Sequence, residues 1–123
     1  MKIAVSSDGE TKEDNVETRF GRCAFFVVYD SETNDYHSID NGYKEARGGA
    51  GIQVAQMLAE NGIGVVITGN VGPNAYRTLE SADIEVYTAS GKISEVIENY
   101  KRDELKKIED STVRGHYSQK RWK

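Results

Sequence analysis

The sequence predicts an α/β protein: one mixed five-stranded sheet in a three-layer arrangement, with elements in the order β-β-β-α-β-α-β-α. Three observations predict it. The first forty residues hold short apolar runs bounded by turn residues and no helical period. Beyond residue 50, helical and strand periods alternate, which implies parallel strands joined by crossovers. Phe25-Phe26-Val27-Val28-Tyr29 is apolar on both alternations, the mark of a strand covered on both faces.

The elements follow in order. Ile3–Ser6 is a short apolar strand that ends at Ser7-Asp8-Gly9. Glu10 to Arg19 is charged and aperiodic and reads as a loop leading into "RFGRC". After the Phe25–Tyr29 strand, "DSETND" turns the chain, and Tyr36–Asp40 alternates like a more exposed partner. A turn at Ser31–Asn34 pairs Asp30 with Asp35 and sets His37 opposite Val28. The first three strands thus form a meander. Ile52, Val54, Ala55, Leu58 and Ala59 recur at helical spacing, and Asn61-Gly62 stops that helix. "IGVVIT" is the fourth strand. Pro73–Ala82 is a helix whose proline stands where a missing N–H costs nothing. "IEVYTA" is the fifth strand, and the last helix runs from Ile93 to about Ile108.

At 123 residues the chain is long enough for one core, and residues 1–109 are expected to form a single domain. The net charge of −4 conceals an asymmetry: residues 1–91 carry 7 basic and 14 acidic side chains, residues 92–123 carry 9 and 6. Residues 110–123 are expected to be a basic, irregular tail. No apolar run approaches the roughly 20 residues of a membrane span, and a strand pattern begins at once, leaving no room for a signal peptide. With a single cysteine, Cys23, no internal disulfide is available, so a cytoplasmic location is expected.

Two helices begin alike, one after "GGAG" (Gly48, Gly49, Ala50, Gly51) and one after "TGNVGPN" (Thr68, Gly69, Asn70, through Gly72 to Asn74). The first turn of a helix carries unpaired N–H groups and the positive end of the dipole, and glycine lets a ligand approach that backbone. Loops after parallel strands gather at one sheet edge, so Ser6 and Asp8 should open there too, making three segments around one anion. Tight packing at a strand–helix junction explains the same glycines without any ligand. No Lys-Ser/Thr follows them and no G-x-G-x-x-G occurs, so neither nucleotide motif is present.

Cys23, His37, His116, Met1 and Met57 are the whole stock of soft or borderline metal ligands, and none fall at metal-binding spacing. Along the expected ladder, Cys23 and His37 lie about five residues, roughly 16 Å, apart. Cys23 follows Arg22, a cation that would lower its thiol pKa and make it a single-point ligand; a small buried residue at a strand start is the plainer account. Two histidines and one cysteine allow no nucleophile–base arrangement. The first strand lacks an acid for a two-metal nuclease site, although Asp8 follows it.

The segments "FGRCAFFVVYD", "GGAGIQVAQMLAENGIGVVITGNVGPNAY" and "IEVYTASG" carry a resemblance. Over roughly Lys2 to Leu105 the chain resembles the dinitrogenase iron–molybdenum cofactor biosynthesis family. The resemblance implies a ribonuclease H-like fold and a carrier, not an enzyme, that holds an iron–sulfur or iron–molybdenum cofactor precursor and exchanges it with donor and acceptor proteins. Some relatives carry a histidine immediately before Gly-Ala-Gly, where this chain has Gly49. The cofactor-binding set expected here is Ser6, Asp8, Arg22, Gly48–Gly51, Thr68–Asn70, Gly72 and Asn74, with Cys23 as the metal ligand. Two rivals stand beside it: a small enzyme for a phosphate-bearing metabolite with Asp8 as acid or base, and a nucleic-acid accessory acting through "VRGHYSQKRWK".

Overall fold

The computed structural model describes residues 1–46 and 49–109. The expected basic tail, with His116, and Gly48 of the expected site lie outside the described residues. Among the described residues, six strands and three helices follow one another: β1 (Lys2–Ser7), β2 (Phe25–Asp30), β3 (Asp35–Asp40), α1 (Ala50–Glu60), β4 (Ile63–Thr68), α2 (Pro73–Ser81), β5 (Glu85–Thr88), α3 (Ile93–Lys101) and β6 (Lys106–Lys107). They form one sheet in the order β3-β2-β1-β4-β5-β6. β2 is antiparallel to both β1 and β3, whereas β1, β4 and β5 run parallel.

The meander and the parallel half are as the sequence predicts, and so is the hairpin register: Asp30 pairs with Asp35 and Val28 with His37. The two-faced apolar strands are explained by two cores. On one face Ala4, Phe26, Val28, Val66 and Val86 pack against Val54, Ala55 and Leu58 of α1 and Ala75, Tyr76 and Leu79 of α2. On the other, Ile3, Val5, Val27, Tyr29, Val65 and Ile67 meet Ile93, Val96 and Ile97 of α3. Burying one such aliphatic side chain contributes about 1.5–3 kcal/mol, so central strands with no polar face dominate the stabilisation. β3 mixes exposed and half-buried residues because it is an edge.

The expectation of five strands is corrected. The last helix does not reach Ile108: it stops at Lys101, where Asp103 adopts a left-handed φ of 60° and its N–H bonds the carbonyl of Tyr100. The chain then returns along the sheet edge as β6, antiparallel to β5. Leu105 packs on the α3 face and Ile108 on the α1–α2 face, so both sides of β5 gain cover.

β3 runs parallel to β1, because two antiparallel steps separate them. The N-termini of α1, α2 and α3 therefore all lie at one end of the sheet, beyond the carboxyl ends of β3, β4 and β5. Residues 8–20 cross that end as a strap. Ser7 bridges Val16, the Glu17 N–H reaches the carbonyl of Ser6 at 2.8 Å, and Val16 reaches that of Gly91 at 2.9 Å. Arg19 bridges Asn70, with Asn70 N–H to Thr18 at 2.6 Å and Phe20 N–H to Asn70 at 3.2 Å. Among the described residues no helix is long and apolar enough to cross a membrane.

Candidate functional site

The strap closes the crevice above β1 and leaves an opening to one side, between the Phe20–Arg22 turn and the starts of α1 and α2. This cleft has a volume of about 360 Å³ and is lined by residues 19–22, 49–52, 70 and 72–75. Its floor is held together by small residues. A Cβ on Gly51 would come within 2.9 Å of the Ala75 Cβ, so the two helices touch at their first turns. A Cβ on Gly21 would come within 3.1 Å of the Gly51 nitrogen, so the "FGR" turn lies directly on α1. Gly49 caps α1 with φ 77°, a conformation that costs other L-residues about 1–2 kcal/mol.

The chemistry of the cleft lies in the backbone. Neither α1 nor α2 has a side-chain N-cap, and neither carries an acid in its first turn. Among the described residues, the amides of Ala50, Gly51 and Ile52 in α1 and of Asn74 and Ala75 in α2 meet no acceptor. The third helix shows the alternative. The first amides of α3, Ile93 and Ser94, bond the carbonyls of Asp14 and Lys12 at 2.9 Å each, and Glu95 stands in its first turn. One helix is closed by its own chain and two are left open side by side, with their positive dipole ends adjacent.

Among the described residues, two arginines line the cleft and no carboxylate does. Arg22 is half of the expected auxiliary pair, but its Nη1 is committed to the carbonyls of Lys44 (2.8 Å) and Ala46 (2.7 Å). It fastens the loop after β3. Asn41, buried beside it, donates to the carbonyls of Gly21 and Cys23 and completes that anchor. Arg19, which sequence reasoning missed, is paired with Glu17 at 3.3 Å. Phe20 forms part of the apolar wall and stacks edge-on against Phe26, with 5.5 Å between ring centres. Ile52, Pro73 and Ala75 are the other apolar liners missed in the sequence. Their signal was present, because they occupy the same first helical turns as the glycines.

Of the expected cofactor-binding set, Arg22, Gly49, Ala50, Gly51, Asn70, Gly72 and Asn74 come together around the cleft. The Asn70 amide is already engaged by Thr18, so only its side chain remains for a guest. Four residues do not join them. Ser6 and Thr68 are fully buried beneath the strap, where the Ser6 hydroxyl donates to the Glu17 carbonyl (2.7 Å) and accepts from the Thr68 hydroxyl (2.8 Å). Gly69 packs on Thr18, which a Cβ would meet at 2.8 Å. Asp8 belongs to the strap, where Oδ1 accepts the Asn15 N–H.

Cys23 is also corrected. It is fully buried in the α1–α2 core, and burial pushes its thiol up to about 12. Arg22 does not lower the thiol pKa as expected, because its guanidinium is turned to the loop carbonyls. The structure therefore gives Cys23 a packing role. Among the described residues, no three His, Cys, Asp or Glu side chains gather as metal ligands. A larger depression of about 600 Å³ lies along α3, but its Lys12 and Lys101 sit over the rings of Tyr36 and Tyr29, and Glu95 and Glu98 share it. It has no array of open amides.

The family model described as dinitrogenase iron–molybdenum cofactor matches residues 1–103. An uncharacterised protein of Methanocaldococcus jannaschii is 30% identical over 113 residues, which is 89% of this chain and 92% of that one. The apo orange protein of Desulfovibrio gigas superposes with a TM-score of 0.88 at 35% identity, covering 91% of this chain and 96% of that one. A Thermotoga protein whose solution structure carries the NifB name superposes at 0.81 with 31% identity, covering 93% and 98%.

Proposed function

Because the chain belongs to the dinitrogenase iron–molybdenum cofactor family, we propose that it is a non-catalytic carrier of an anionic iron–sulfur or iron–molybdenum type cluster, or of a precursor to one. The carrying observation is the pair of open helix starts that share one cleft. Clusters of this kind bear negative charge and present sulfide at their surface. Five unpaired amides and two positive helix ends offer such a guest hydrogen bonds and a favourable potential, while Phe20, Ile52 and Pro73 offer a soft, apolar wall.

Reversibility is the second requirement of a carrier. A hydrogen bond exchanged against water is worth about 0.5–1.5 kcal/mol, rising to about 1.5–3 kcal/mol when one partner is charged. Several acting together hold a guest, and none has the permanence of a metal–thiolate bond. The buried Cys23 is in keeping with that design. Donor and acceptor proteins for the cluster are part of the proposal.

The cleft contains no Asp, Glu, His, Cys, Ser or Lys among its described residues, which speaks against acid–base chemistry there. Asp8, the expected acid of the enzyme alternative, sits in the strap instead. The decisive experiment is anaerobic incubation of micromolar apo protein with an isolated iron–sulfur cofactor, followed by gel filtration. Co-elution of about one equivalent is expected. Elution of protein free of iron and sulfide refutes the carrier role.

A further inference from the structure

The two cleft arginines are held in opposite ways. Arg22 spends a terminal nitrogen, Nη1, on two loop carbonyls. Arg19 spends only its inner nitrogen: Nε reaches Glu17 Oε2 at 3.3 Å, and the same oxygen accepts the Arg19 backbone N–H at 3.1 Å. Among the described residues, both terminal nitrogens of Arg19 are without an acceptor. The Glu17 side chain is only 20% exposed, and its backbone is tied to Ser6 through both N–H and carbonyl. Arg19 itself is joined to Asn70 by a backbone bridge, which fixes the Cα beside the cleft.

A carboxylate that grips Nε and the amide of one arginine limits that side chain to few rotamers and leaves its planar pair of outer nitrogens free. We propose that Arg19 is the residue that contacts the guest, that Glu17 is its positioning residue, and that the guest presents an edge of two adjacent sulfido or oxo atoms to the outer nitrogens. The proposal rests on the cleft being the binding site. It selects against anions that offer a single acceptor atom, and it assigns the charged contact to a residue outside the glycine-rich turns.

The test uses tetrathiomolybdate, a tetrahedral sulfide-bearing dianion, titrated anaerobically into the full chain by calorimetry. Arg19→Gln is expected to weaken binding about tenfold to a hundredfold, the scale of a charge-assisted hydrogen bond. Arg19→Lys keeps the charge without the paired nitrogens and is expected to remain several-fold weaker than the unaltered protein. Glu17→Asp keeps the charge but shortens the reach, and should weaken binding several-fold in the unaltered background and not at all beside Arg19→Gln. Equal affinity in Arg19→Lys, tighter binding in Glu17→Asp, or an undiminished loss in the double variant overturns the proposal and leaves the cleft reading standing. Absence of binding by the unaltered protein overturns both. Should Glu17→Asp fail to fold, Arg19→Lys alone decides, since Arg19 is 67% exposed and outside the core.

Discussion

Cys23 carries a pH signature that separates a core thiol from a ligand thiol. Burial raises it from an ordinary 9.0 to about 12, so the folded state keeps a proton that the unfolded chain releases. The sign follows directly: this stabilisation is complete below pH 9 and is lost as pH rises from 9 towards 12. Tyr87, raised to about 12 by burial and by its hydrogen bond to Glu85, adds to the same alkaline limb. Urea unfolding of Cys23→Ala should show a shallower fall in stability across that window than the unaltered protein, and at pH 8 a disulfide reagent should label the thiol only in urea. Rapid labelling of the native protein contradicts the assignment. Gly51 makes a steric prediction at the same scale. Gly51→Ala drives a methyl against Ala75, where 2.9 Å is available, and should lower the urea-derived stability by about 1–3 kcal/mol. An unchanged midpoint would mean that α1 and α2 are free to part.

At the scale of elements, β6 and Ile108 show how a sheet edge is completed. Ile108 N–H bonds the Val86 carbonyl, and its side chain is buried in the α1–α2 core, 8% exposed. Ile108→Ala should cost about 2–5 kcal/mol of unfolding free energy, whereas a cost under about 0.5 kcal/mol would place the residue at the surface. This element is also where the sequence is least legible. Two residues, Lys106 and Lys107, are too few to show a period, and the stop before them is an aspartate in a left-handed conformation, not a glycine or proline. By contrast β1, β2 and β4 are legible, because strands covered on two faces are apolar on both alternations through their middle positions. The β2–β3 register follows from the four turn residues alone. The site is legible in part. Glycines at helix starts reveal where backbone is exposed, and seven of the expected residues do share the cleft. Nothing local reveals that residues 8–20 fold back over β1, since most bonds that hold the strap to β1, β4 and α3 run between backbone groups, which any residue supplies. Ser6 and Thr68 therefore look exposed in the sequence and are buried in the fold, while Asp8 stays exposed in the strap, outside the cleft lining.

At the scale of the molecule, an acidic chain of net charge −4 lines one cleft, among its described residues, with two arginines, two open helix ends and no carboxylate. α3, whose first turn is closed by the strap and balanced by Glu95, shows that the same fold can satisfy a helix start internally. On the proposed carrier role, an anion bound at the open starts of α1 and α2 stabilises the fold. Differential scanning at constant ionic strength should thus show a rise in Tm of several degrees with tetrathiomolybdate that matched chloride does not reproduce; identical curves would mean that the open ends gain nothing from the anion. The central claim, that these backbone amides hold the guest, is tested most directly by amide chemical shifts. In an anaerobic titration of nitrogen-15-labelled protein with tetrathiomolybdate, the resonances of Ala50, Gly51, Ile52, Asn74 and Ala75 are expected to move most, while Ile93 and Ser94 stay fixed. Shifts centred on α3, or none beyond those caused by salt, would contradict it.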